Sequence, residues 1–217
     1  MSVASPVARP AEFVLVAGPN GSGKSTVADD YIQARFPIWP KLNADRVTYA
    51  LRADPASAAQ YAWPPPSAPP ELQAAMLIDA TARGLILLRE PLVLETVLAS
   101  DKYRPLITAS QQNGLIFRLV YITTKSPDIN VARVAQRVAQ GGHAVPEDKI
   151  RKRWDQSMDN LPWFAARADR LVVADNSGQE LQVIALRHLG GELELLDSDH
   201  PCSSRLSALR NTRRLAS

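Results

Sequence analysis

"EFVLVAGPNGSGKST", residues 12–26, is the stretch on which the fold turns. Residues 13–17 are apolar without interruption, which predicts a strand buried on both faces. A glycine-rich segment follows it with no gap. Gly18, Gly23, Lys24 and Ser25 complete the spacing G-x-x-x-x-G-K-S. A chain that wraps a polyphosphate must turn several backbone N–H groups toward one anion, and Gly18, Gly21 and Gly23 remove the side chains that would obstruct it. Pro19, Asn20 and Ser22 complete the cradle, Lys24 offers a cation to the β- and γ-phosphates, and Thr26 lies in the helix that follows. The Ser25 hydroxyl is the expected magnesium ligand of bound ATP. A glycine-rich turn with an exposed lysine is the alternative, and the strand–loop–helix context speaks against it. The loop by itself does not separate a kinase from a mechanical ATPase or a signalling GTPase.

Outward from the loop, residues 25–36 suit a helix stopped by Pro37. "KLNAD" at 41–45 reads as a short second strand with Asp45 at its carboxyl edge, where open parallel sheets bind ligands. The crowded prolines of 51–70 argue for an irregular connection. Residues 70–90 read as a helix, 91–96 as a strand delivering Glu95 and Thr96, 97–114 as a helix, and 115–123 as a strand. Between 128 and 161 two helical stretches are separated by "GGHAVP". A strand within 166–178 and a hairpin or edge addition at 181–197 complete the chain. This order predicts an α/β P-loop nucleoside triphosphate hydrolase fold with a parallel sheet, kinase-like, with a helical lid insertion. One domain is expected over residues 1–217, with 128–161 as the lid and 199–217 as a flexible basic tail.

The 217 residues are 46% hydrophobic, enough for one substantial core. With 25 basic and 22 acidic residues the net charge is only +3, so a wide nucleic-acid interface has little support. The widely spaced tryptophans form no stacking ladder. Cys202 is the only cysteine, which excludes an intramolecular disulfide and fits a reducing compartment. No apolar run is long enough to span a bilayer, and a soluble, cytoplasmic protein without membrane partners is expected. The three histidines are scattered and make no zinc cluster.

Transfer of a phosphoryl group to an alcohol needs a carboxylate that orients the hydroxyl and takes its proton. Asp45 is the candidate base, although an aspartate there also serves as a helix cap. Glu95 is the candidate for ordering metal-bound water or the acceptor. Arg133 and Arg137 share one helical face and could neutralise charge on the migrating group. Lys149 and Arg153 repeat the spacing in the next helix, with Arg151 beside them. Thr96, His143, Arg151 and Arg153 are candidates for acceptor contact. No "NKxD" segment selects guanine, and no apolar run ends in paired acids as a motor ATPase requires.

The segments "GPNGSGKST", "NAD", "ETVLAS" and "SPDINVARVAQRVAQGGHAVPEDKIRKRWDQSMDNLPW" together resemble the zeta-toxin-like family of P-loop kinases, especially its short bacterial members. The resemblance covers much of residues 13–175 and implies ATP and magnesium as cofactors. It implies Lys24 on phosphate, Ser25 on the metal, Asp45 as base, Glu95 as a positioning acid, and Arg133 and Arg137 as the transition-state clamp. Toxin members phosphorylate a UDP-activated amino sugar and are held inactive by a small antitoxin, so a UDP-sugar acceptor and an antitoxin partner are the implied partners. Val97 and Ala99 stand where short members often carry hydroxyls. The region "YAWPPPSAPP" matches no sugar site of the larger toxins. The reading is an ATP-dependent small-molecule kinase. An ATP-hydrolysing switch or nucleic-acid-associated protein is the alternative, followed by a non-enzymatic nucleotide-stabilised interaction protein.

Overall fold

Residues 12–17 form strand β1 (Glu12–Ala17), every residue of which is buried. Such a strand must have neighbours on both edges and layers on both faces. The computed structural model, which describes residues 10–35, 37–60, 63–142 and 144–210, supplies them. The sheet has seven strands in the order β2-β3-β1-β4-β5-β6-β7. β2 (Lys41–Asn43), β3 (Leu92–Thr96), β4 (Ile116–Thr123) and β5 (Arg170–Asp175) run parallel with β1. β6 (Gln182–Arg187) and β7 (Glu194–Leu195) add antiparallel at the β5 edge, as the hairpin pattern of 181–197 suggested.

The period of two assigns the faces. Val14 and Val16 point to one side, where they meet Ala28, Ile32, Val93 and Val120. Phe13 and Leu15 point to the other, against Leu92, Leu94, Phe117 and Phe164 among others. Each such side chain contributes about 1.5–3 kcal/mol on leaving water, so both faces hold β1 in place.

Helix α1 (Lys24–Val27) continues through a π-helical stretch, Ala28–Ile32, into α2 (Gln33–Arg35), matching the helix expected before Pro37. The strand expected at 41–45 ends sooner. Asn43 is the N-cap of α3 (Ala44–Ala53), accepting hydrogen bonds at Oδ1 from the Asp45 N–H at 2.9 Å and the Arg46 N–H at 3.1 Å. Asp45 therefore lies in the first turn of a helix, not on a strand edge, because a capping asparagine favours helix over further ladder. The span 51–70 is also less irregular than its prolines suggested: α3 runs to Ala53, and Pro55 opens the single turn α4 (Pro55–Ala58). Proline is accepted at a first helical position.

α5 (Pro70–Leu87) and α6 (Arg104–Gln112) cover one face. The helix expected from 97 begins seven residues later, and residues 97–103 form a loop in which Leu98 has φ 61°. α7 (Pro127–Ala139) and α8 (Glu147–Arg167) are the two helices of the expected lid segment. α8 extends beyond 161, and its second half is core: Met158, Leu161 and Phe164 are fully buried. The expected tail from 199 is described to Arg210, and that part packs. α9 (Pro201–Leu206) buries Cys202 and Leu206, and burial pushes the Cys202 thiol up to about 12, which leaves it inert. No helix among the described residues is long and apolar enough to cross a membrane.

Candidate active site

At the carboxyl ends of β1, β3 and β4 the chain between β1 and α1 folds into a tight loop. Gly18 adopts φ 147°, and a Cβ there would lie 2.0 Å from the Ile122 carbonyl oxygen, so only glycine lets β1 and β4 approach this closely. Gly23 caps α1 at φ 86°, and a side chain on it would strike the Asn176 amide at 2.3 Å. The loop is gripped from three sides. Asn130 on α7 donates to the Asn20 carbonyl at 2.6 Å, Asn176 after β5 donates to the Ser22 carbonyl at 2.8 Å, and Gly18 N–H donates to the Thr96 carbonyl at 3.2 Å. Inside it the Ser22 N–H closes a turn on Pro19. Thr26 is exposed on α1.

No side chain caps α1. Among the described residues its first N–H groups have no protein acceptor, the condition under which a helix start binds a polyphosphate. Lys24 opens this helix. Burial lowers its pKa below the ordinary lysine value; Glu95 and Asp45 act in the opposite direction, while Arg137 and Arg153 add to the lowering. These charges identify the groups that converge on the loop. Arg153 also donates to Asn20 Oδ1 at 3.2 Å, joining α8 to the phosphate loop.

Glu95, at the end of β3, is the centre of the polar arrangement. The Ser25 hydroxyl donates to Glu95 Oε1 at 2.6 Å, and the Asn43 amide donates to Oε2 at 2.7 Å. Because Asn43 Oδ1 caps α3, one side chain links Glu95 to the turn that carries Asp45. The pairing of β2 with β3, Asn43 opposite Glu95, makes this contact. Nothing in the spacing of residues 52 apart could reveal it. In "KLNAD" helix capping was weighed only for Asp45, so neither the cap nor the second bond of Asn43 was expected.

Asp45, Lys24, Glu95, Thr96 and Arg153 line one cavity of about 200 Å³, together with the loop 97–103. Thr96 shapes that loop by accepting the Leu98 N–H at Oγ1, 3.2 Å away. Arg133 and Arg137 do not line it. Arg137 acts on Lys24 through charge, whereas Arg133, a turn earlier on α7, is half-buried. Arg151 is also engaged elsewhere, with Asp128 at 2.7 Å and Glu147 at 2.8 Å, so it pins the start of α8 to α7 and not an acceptor. This corrects its expected place. His143 lies outside the described residues. Asn43, Asn130 and Asn176 were missed by the sequence reading because asparagines carry no charge pattern.

The arrangement is a phosphate cradle beside a cavity with a carboxylate in its wall. A family described as "AAA domain" matches residues 13–162. The chain belongs to this family. Its fold is the α/β P-loop nucleoside triphosphate hydrolase fold. An uncharacterised protein of Haemophilus influenzae is 31% identical over 61 residues, 28% of this chain and 44% of the relative, so the match spans less than half of that relative's length. Among solved structures, a chain of the PezAT chromosomal toxin–antitoxin system of Streptococcus pneumoniae superposes with TM-score 0.59 at 15% identity, covering 80% of this chain and 71% of its own. AvrRxo1-ORF1:-ORF2 with ATP superposes with TM-score 0.63 at 16% identity, covering 96% and 65%. A putative kinase of Chloroflexus aurantiacus gives TM-score 0.51 at 18% identity, covering 66% and 76%. These likenesses are of fold, and they agree with the zeta-toxin-like P-loop kinase resemblance carried by the sequence segments.

Proposed function

We propose that the chain is an ATP-dependent phosphotransferase that moves the γ-phosphoryl group of ATP to a small-molecule hydroxyl. One observation carries the reading: Asp45 and Lys24 line the same cavity, and Asn43 ties the Asp45 turn to Glu95 and so to Ser25. A hydrolase needs only water beside the phosphate, while this site adds a walled space with a carboxylate in it. ATP fits the uncapped helix start and the glycine cradle. Magnesium fits the oxygen pair Ser25–Glu95, since that ion binds through one or two carboxylates together with phosphate oxygens. When bound it would neutralise phosphate charge at that pair.

In this reading the acceptor hydroxyl sits against Asp45. As its oxygen forms a bond to the γ-phosphorus, the bond from that phosphorus to the bridging oxygen of the leaving ADP breaks, and the hydroxyl proton passes to the Asp45 carboxylate. Lys24, Arg137 and Arg153 oppose the negative charge on the transferring group. The Asn43 cap keeps Asp45 in register with the loop, which is worth rate because reacting atoms must be held near contact distance.

The finer substrate class, a UDP-amino sugar, and a small antitoxin partner come from the family resemblance; the toxin–antitoxin system to which one structural neighbour belongs supports the partner. The test is mass spectrometry of a UDP-sugar panel after incubation with protein, ATP and magnesium. A mass gain of one phosphoryl group is expected. It disappears with Lys24→Ala and falls by about 10²–10⁴-fold with Asp45→Asn, while ATP binding by the Asp45 variant stays intact. Unchanged transfer by Asp45→Asn removes it as the base. ATP hydrolysis stimulated by nucleic acid, with no small molecule phosphorylated, overturns the proposal in favour of the switch.

A further inference from the structure

We propose that His200 is a positioning residue for the nucleotide: through Asp175 it braces Asn176, the side chain that holds the phosphate loop from the β5 side. The inference rests on the reading of residues 18–25 as the seat of ATP and is independent of the acceptor. α9, which His200 caps, lies beyond the residues matched by the family, 13–162.

Asn176 is the contact to be braced. Its amide donates to the Ser22 carbonyl at 2.8 Å and fills the space that a side chain on Gly23 would need. Asn176 follows β5 outside any helix or strand, so its place depends on local bonds. Its N–H donates to the Thr123 carbonyl at 2.9 Å. The next residue, Ser177, folds back on Asp175, its N–H at 2.9 Å and its hydroxyl at 2.6 Å from the same Oδ1. Such a turn, built on an aspartate side chain, fixes the residue between its ends. Asp175 therefore sets the orientation of Asn176.

Asp175 is 3% exposed, and a carboxylate so buried must be answered. Besides Ser177 it meets two groups. Lys125 Nζ lies 3.9 Å from Oδ2 on the solvent side, with half of its side chain exposed. His200 is buried, and its Nε2 lies 3.7 Å from Oδ1. The Nδ1 of His200 accepts the Cys202 N–H at 3.1 Å, so the neutral ring carries its proton on Nε2. Burial, helped by Lys125, lowers the pKa of the ring against the pull of Asp175 and Asp197, which favours this neutral form. Nε2 has no hydrogen-bond partner among the described residues, and Asp175 is the carboxylate beside it. At 3.7 Å the N–H dipole and the carboxylate attract across a dry gap, and a small rotation of either closes a hydrogen bond.

The brace has a firm footing. α9 buries Cys202 and Leu206 in the core, and Cys202 Sγ donates to the Met158 sulfur at 3.1 Å. The Thr123 hydroxyl reaches the same sulfur at 3.6 Å. α9 therefore bears on the ends of both β4 and β5, since Thr123 closes one strand and Asp175 the other. These are the two residues that fix Asn176. On its outer side Arg205 joins Asp159 of α8 at 3.1 Å. The position of α9 is passed through His200 to Asp175, then to Asn176 and Ser22.

The test is calorimetric titration of the full chain with a non-hydrolysable ATP analogue and magnesium. His200→Asn is the main variant, because its side chain still caps α9 but is too short to reach Asp175. Tm should stay close to wild type while affinity for the analogue falls roughly threefold to thirtyfold. His200→Gln, which extends an amide N–H toward Asp175, should recover most of the loss. In an Asn176→Ala background His200→Asn should cost nothing further, because the path to Ser22 is already cut. In the transfer reaction the KM for ATP should rise, with kcat and the acceptor KM unmoved. Unchanged affinity in His200→Asn, equal losses in His200→Asn and His200→Gln, or losses that add in the double variant overturn the proposal. Should His200→Asn fail to fold, NMR of the wild-type chain with ¹⁵N-labelled histidine decides. The analogue should shift the His200 Nε2–H resonance, and Asn176→Ala should abolish that shift; a resonance that the analogue leaves in place overturns the brace. A failure to phosphorylate any acceptor bears on the phosphotransferase reading alone, since binding is measured without one.

Discussion

Lys24 is held between opposing influences. Burial, Arg137 and Arg153 lower its affinity for a proton, and Glu95 and Asp45 only partly restore it. A polyphosphate in the loop favours the charged amine, so binding raises the lysine's pKa, and the sign of the coupling follows. At pH below the depressed value the amine is already protonated and affinity is flat; above it each binding event takes up a proton, and affinity falls as pH rises toward the bound-state value. Titration calorimetry of ATP in buffers of different ionisation enthalpy should show this uptake, and Lys24→Met should abolish both uptake and slope. An uptake that persists in the variant assigns it to another group. The role of Lys24 was legible because the motif places it within eight residues of contiguous text. The partnership of Ser25 with Glu95 and Asn43 was not, since it depends on which strands become neighbours.

At the level of elements, the ends of helices explain most differences between expectation and structure. Asn43 stops β2 and starts α3, which moves Asp45 from a strand edge into a helix turn. The segment 97–114 carried helical composition throughout, yet its first seven residues form a loop that lines the cavity, since the core captures Leu98 in a conformation no helix contains. Long periodic runs such as 70–87 were easier to read because their pattern repeats over several turns. The end of α5 gives a stability prediction. Arg89 follows its C-cap Leu88 with φ 56°, and Glu90 N–H bonds back to the Leu85 carbonyl at 2.8 Å. That is a left-handed helix stop in which glycine pays no Cβ penalty. Arg89→Gly should raise stability by about 0.5–1 kcal/mol, seen as an increase of a few degrees in Tm. A fall in Tm would mean that the arginine side chain supplies more than the backbone costs.

Over the whole molecule, the sheet has a chemical end and a structural end. The site gathers at the carboxyl ends of the parallel strands, with Asn43, Glu95 and Thr96 on the last residues of β2 and β3. At the opposite end Glu12 on β1 binds Arg118 on β4 at 2.7 Å and Arg170 on β5 at 3.2 Å, a largely buried network across three adjacent strands. Removing one member leaves charge in a dry place, so Glu12→Gln should destabilise by about 3–5 kcal/mol, read as a lower urea midpoint at unchanged m-value. A midpoint within experimental scatter of wild type would show that the arginines find other acceptors. Neither Glu12 nor Arg118 attracted notice in the sequence, where each is a lone charge inside an apolar run. The parallel order and edge hairpin were visible in the spacing of elements, but the packing of α9 was hidden by its small and polar composition.

This separation bears on how such a chain can change over generations. Substitutions in the loops after β2 and β3 alter what meets the phosphate cradle while the charged network and the apolar faces keep the molecule folded. Substitutions at the far end are judged by folding alone. Divergence of the molecule acted upon, without divergence of the scaffold, is therefore the easy path for this architecture, and relatives with the same sheet need not share a substrate.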